Sequence, residues 1–63
     1  MMKIYKLESE VPDYEYVYVI ANSIPEAVEK FLNRVNEGLN GEKYEASEVT
    51  EVIQTSLEYE LIA

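Results

Sequence analysis

The sequence predicts a small α+β domain, a three-stranded and mainly antiparallel sheet with one helix on one face, in the order β-β-α-β. Three observations carry that reading. Residues 14–21 (YEYVYVIA) alternate with period two and are rich in aromatic and β-branched side chains. A capped helix start at Ser23 leads into apolar residues that recur at three- and four-residue steps. After a polar connection, residues 47–62 return to β-rich alternation. No repeat, linker or low-complexity tract interrupts the 63 residues, so 1–63 reads as one domain.

Met2–Glu8 (MKIYKLE) is the first strand. Two interleaved sets, Met2/Ile4 and Tyr5/Leu7, leave neither of its faces purely polar. Ser9-Glu10-Val11-Pro12-Asp13 reads as a turn, because Pro12 presets φ and Asp13 favours bonds from its side chain to nearby backbone. Tyr14–Ala21 is the second strand. Tyr14, Tyr16, Tyr18 and Ile20 share one face of it; Glu15, Val17, Val19 and Ala21 share the other. So short a turn predicts an antiparallel hairpin.

Ser23 is a good N-cap, and Glu26 three residues later completes a capping box. Pro25 sits in the first turn, where its missing N–H has no intrahelical partner to lose. Ile24, Ala27, Val28, Phe31, Leu32, Val35 and Leu39 form one apolar stripe, and Glu26–Lys30 is a favourably ordered i,i+4 pair. Gly38 or Gly41 ends the helix; because Leu39 continues the stripe, the end is expected between residues 37 and 40.

Asn40–Ala46 is a polar connection bearing Tyr44. In Ser47–Ile62 (SEVTEVIQTSLEYELI), Val49, Ile53, Leu57, Tyr59 and Leu61 share a parity, and Val52 and Ile62 take the other. That stretch is long for one strand, so a bulge or break is expected near Gln54-Thr55-Ser56; a break makes the sheet four-stranded. The last strand returns beside the first, for a spatial order of 2-1-3. A right-handed crossover is the default for any parallel return.

Composition excludes more functions than it suggests. There is no Cys, so no disulfide framework, thiolate nucleophile or zinc–thiolate site is available. There is no His, which removes the commonest general base, the commonest transition-metal ligand and any Ser-His-Asp or Cys-His arrangement. Gly38 and Gly41 are the only glycines, too few for a phosphate-cradling loop. Carboxylates at Glu8, Glu10, Asp13 and Glu15 match no calcium-loop spacing. A domain this small, which buries only about 60% of its unfolded surface, has little room for a substrate pocket. The expectation is therefore a non-enzymatic protein with no cofactor and no metal.

Thirteen acidic residues against five basic ones give a net charge of −8. Residues 1–34 carry −2 of it and residues 35–63 carry −6. Lys3, Lys6, Lys30, Arg34 and Lys43 are scattered, so neither nucleic acid nor an anionic membrane is an expected partner. The longest apolar run, Val17–Ala21 with Tyr18 inside it, is far too short to span a bilayer. Met1-Met2-Lys3 runs straight into alternating polar residues rather than a signal-peptide core, which makes the cytoplasm the expected location.

Two surfaces remain. One helix covers one sheet face, with Val17, Val19 and Ala21 packing on Val28, Phe31, Leu32 and Val35. The other face then presents Tyr14, Tyr16, Tyr18 and Ile20. Read functionally, that is a self-association or partner surface, most simply a two-fold homodimer; read structurally, it is high β propensity and cross-strand pairing of tyrosine. The second surface is acidic. Glu8 with Glu10, and Glu58 with Glu60, lie at i,i+2 spacing of about 6.6–6.8 Å on a strand, and Glu48 and Glu51 extend the second row. Such rows match the spacing of backbone phosphates and suit a DNA-mimicking inhibitor of a nucleic-acid-binding protein. They equally suit simple solubilisation or protection of an edge strand.

The initial Met-Lys-Ile-Tyr-Lys-Leu strand, the β-branched second strand and the helix start Ala21-Asn22-Ser23-Ile24-Pro25-Glu26-Ala27 together resemble small accessory proteins encoded by phages and prophages. The resemblance covers most of the chain in size and architecture. It implies an accessory role, often the binding or inhibition of a host protein, and assigns no functional residues.

Overall fold

The computed structural model of the chain describes residues 2–55. Its elements are β1 (Lys3–Ser9), β2 (Tyr16–Ala21), α1 (Ile24–Val35), a single 3-10 turn (Ala46–Glu48) and β3 (Val49–Thr55). The sheet has the order β2-β1-β3 with β1 central, and both pairings are antiparallel. This is the expected α+β class and spatial order. No parallel pair exists in the sheet among the described residues, so the handedness rule for parallel returns has nothing to act on.

The two interleaved apolar sets of β1 separate cleanly. Tyr5 and Leu7 point inward, Leu7 with no exposed surface, while Met2 is exposed and Ile4 is half-buried. Inward-facing Val17, Val19 and Ala21 of β2 lie opposite Leu7, Tyr5 and Lys3. Onto this face α1 lays Ala27, Phe31 and Val35, spaced four apart on one side of the helix, with Leu32 packed beside them. Val11, Tyr14, Tyr44, Val49 and Val52 close the margins of the core.

The hairpin is held by one buried serine. Ser9 Oγ donates to Tyr14 O at 2.7 Å and accepts from Val11 N at 3.2 Å. Tyr14 N donates to Val11 O at 3.0 Å, closing a turn with Pro12 and Asp13 at its centre. Asp13 has φ +71°, the left-handed conformation that a turn of this kind requires after proline and that Asp tolerates. Because the turn occupies Tyr14 in this way, β2 starts at Tyr16 and not at Tyr14 as the alternation predicts.

The helix starts as predicted and stops early. Ser23 Oγ accepts from Glu26 N at 3.3 Å. The Glu26 carboxylate returns to the Asn22 backbone N–H and side-chain amide, one residue earlier than the reciprocal capping box assumes. Those bonds, the backbone one foremost, hold the Glu26 carboxyl below its ordinary pKa, with Lys30 assisting. At the other end Asn36, not residues 37–40, terminates α1. Its side chain accepts from Tyr44 N at 2.7 Å and donates to Tyr44 O at 3.0 Å, as a neighbouring strand would. That clamp draws the connection back and seats Tyr44 against the core. Gly38, with φ +82°, carries the chain away, and Leu39 is left exposed. Ile24, also assigned to the stripe by spacing, is exposed at the helix start.

β3 carries its irregularity at a different place from the expected one. Glu8 pairs with Glu51 and Ser9 with Val49, which leaves Thr50 as an extra residue whose hydroxyl donates to Glu8 O at 3.1 Å. The inserted residue lets Val49 and Val52, three apart, both face the core, and turns Ile53 outward. Gln54 and Thr55 stay in regular register with Tyr5 and Ile4; the remainder of the 47–62 pattern, from Ser56 on, lies outside the described residues. No helix among the described residues is long and apolar enough to cross a membrane.

Replacing Ser9 by Ala leaves a buried Val11 N–H and the Tyr14 carbonyl without their partner. The expected loss is about 1–3 kcal/mol, read as a lower urea midpoint with unchanged slope. A midpoint within error of wild type rules out this role for Ser9.

Candidate functional site

Among the described residues, the register places nine on the sheet face that α1 does not cover, three per strand. Ile20, Ile4 and Thr55 form one row; Tyr18, Lys6 and Ile53 the next; Tyr16, Glu8 and Glu51 the last. Along the strands the face changes from aliphatic, through aromatic with one cation, to acidic. Tyr16 is 68% exposed, Tyr18 and Ile20 56%, and Ile53 46%. Tyr5 and Leu7 on the same sheet are buried, so among the described residues one face is covered and the flanking strands of the other are exposed.

Lys6 stands at the centre of this face. Its ammonium lies 5.5 Å from the centroid of the Tyr16 ring, within range of the favourable interaction between a cation and an aromatic face. Lys6 is half-buried.

Of the four residues read as the aromatic face, Tyr16, Tyr18 and Ile20 lie on it. Tyr14 does not. It precedes β2, is half-buried, and packs against the core, because the Ser9 bond and the left-handed Asp13 hold it in the turn. Ile4, Lys6 and Ile53 join the face through register, which no local pattern reveals. For Ile53 the sequence parity pointed the other way, since it grouped this residue with Val49, and only the extra residue at Thr50 separates them.

The acidic residues are also rearranged. Glu8 and Glu10 do not continue one row, because β1 ends at Ser9. Instead Glu8 lies directly opposite Glu51, and Glu10 N donates to Glu48 O at 2.9 Å, so residues far apart in sequence meet at one end of the sheet. Glu10 and Glu51 are exposed; Glu48, in the 3-10 turn, is half-buried. Glu58 and Glu60 lie outside the described residues. Among the described residues no three carboxylates converge as a metal site would require.

Like charges directly across a strand pair are destabilising. Glu51→Lys is therefore expected to stabilise the chain by a few tenths to about 1 kcal/mol, with the gain shrinking in 1 M NaCl as the charges are screened. Urea titrations at low and high salt test this; a loss of stability at low salt contradicts it.

No protein-family model, curated protein or solved structure matches this chain.

Proposed function

We propose that the protein is a non-enzymatic interaction module that self-associates through its open sheet face. The observation that carries this reading is the contiguous exposure of Tyr16, Tyr18, Ile20 and Ile53 around a half-buried Ile4. Monomers rarely leave an apolar patch of more than a few hundred Å² in water, and a chain this short gains much from additional burial. The simplest such assembly is a two-fold homodimer.

Sedimentation velocity across the micromolar range tests the proposal. Wild type is expected to move from monomer to dimer, and Ile53→Glu to weaken that association about tenfold or more while leaving the helical circular-dichroism signal intact. A wild-type chain that stays monomeric at several hundred micromolar removes the proposal.

A second reading has one observation in its favour: the meeting of Glu8, Glu10, Glu48 and Glu51 at one end of the sheet. It makes the protein an acidic inhibitor of a nucleic-acid-binding host protein, the kind of role implied by resemblance to phage-encoded accessory proteins. Capture from a bacterial lysate is then expected to yield DNA- or RNA-binding proteins that elute as salt rises and are lost with Glu8→Gln/Glu51→Gln. Capture indifferent to salt and to these substitutions counts against it.

A further inference from the structure

β2 is an edge strand, and its outward side has no backbone partner among the described residues. Two bonds establish which groups point outward. Ser9 N donates to Glu15 O at 3.1 Å, so the odd-numbered residues of this strand turn their backbone groups toward β1. Lys30 Nζ donates to Ile20 O at 2.8 Å from the opposite side, so the even-numbered residues turn theirs away. The N–H and C=O groups of Tyr16 and Tyr18 therefore line an open edge, plugged at its Ile20 end by Lys30.

A groove of about 540 Å³ runs between this edge and α1. Tyr14, Val17, Val19 and Phe31 give it apolar walls, and Lys30 and Arg34 line its helical side. In a chain of net charge −8, two of the five basic residues thus stand one helical turn apart beside a single groove. Lys30 is already shared with Glu26 Oε2 at 3.4 Å; Arg34 has no ion-pair partner among the described residues.

We infer that the β2 edge and this groove take an extended acidic peptide from another protein as a fourth strand. Its backbone pairs with Tyr16 and Tyr18. Carboxylates at positions i and i+2 of such a strand lie about 6.6–6.8 Å apart on one side. The Lys30 and Arg34 side chains start about 5–6 Å apart at i,i+4 on the helix, a matching interval. The methylenes of the acidic side chains lie along Val17, Val19 and Phe31, and the alternate side chains of the peptide extend the row of Tyr16 and Tyr18 on the outer face. A second copy is a poorer occupant. Pairing β2 with β2 about a two-fold axis brings the Lys30 and Arg34 of one helix against those of the other, and like charges so placed repel. This inference does not depend on the proposed dimer, which uses the sheet face and leaves the edge free.

The test uses the full chain and two labelled peptides, acetyl-TVEVEVT-amide and its lysine counterpart acetyl-TVKVKVT-amide. Fluorescence anisotropy is expected to show binding of the glutamate peptide alone, at least about tenfold weaker with Arg34→Glu, which leaves the Lys30 bond to Ile20 in place. Lys30→Glu/Arg34→Glu is expected to reverse the preference between peptides. Amide hydrogen exchange locates the site: the glutamate peptide slows Tyr16 and Tyr18 and leaves the β3 amides unchanged. Failure of the glutamate peptide to bind overturns the inference. So does binding indifferent to Arg34, or Tyr16 and Tyr18 amides that are already protected without peptide, since the edge is then occupied by another part of the chain or a second copy.

Discussion

Among the described residues a single twelve-residue helix has to shield a three-stranded sheet, and it reaches one face of it. Burial of apolar surface is the main favourable term in folding, so the side chains under the helix make up almost the whole interior. Leu7 and Tyr5 on the central strand, Ala21 on β2 and Ala27, Phe31 and Val35 on α1 form that interior, with Val11 tucked under the hairpin turn. The face left over is mixed, with Lys6, Glu8 and Glu51 among apolar neighbours. It carries tyrosines and isoleucines because β-branched and aromatic residues suit a pleated surface, and tyrosine keeps a wet hydroxyl on an apolar ring.

With so little apolar material, short polar side chains do structural work at the margins. Ser9 ties the two ends of the hairpin turn through its single hydroxyl. Asn36 ends the helix and holds Tyr44 with both atoms of its amide. These bonds join residues two, five or eight positions apart and fix where an apolar neighbour, Val11 or Tyr44, meets the core. The Thr50 hydroxyl acts similarly at the irregularity of β3, bonding the carbonyl of Glu8. None of the three residues belongs to a periodic apolar pattern, so hydropathy does not mark them.

Charge is distributed by the fold rather than simply spread over it. Acidic residues of β1, the turn, the 3-10 segment and β3 are gathered at one end of the sheet, while Lys30 and Arg34 stand along the open edge of β2. The same sheet therefore offers surfaces of three kinds: an aromatic and aliphatic face, an acidic end and a basic-flanked edge. In sequence the basic residues look scattered, because helical spacing of four brings two of them side by side only once the helix exists.

Local chemistry was enough to read the order of elements, the helix start at Ser23, the Pro-Asp turn and the division of β2 into a tyrosine face and a valine face. Each depends on residues within a turn or two of one another: a side chain that caps, a ring that presets φ, an alternation of period two. The tertiary structure alone decided which of the two apolar sets of β1 goes inside, that Tyr14 belongs to the core side of the turn, that α1 stops at Val35, and that Ile53 faces out. Those outcomes depend on partners remote in sequence. Strand register, the extra residue at Thr50 and the Asn36 clamp each set an orientation from across the fold, and a one-residue change of register moves a side chain from one face of a sheet to the other.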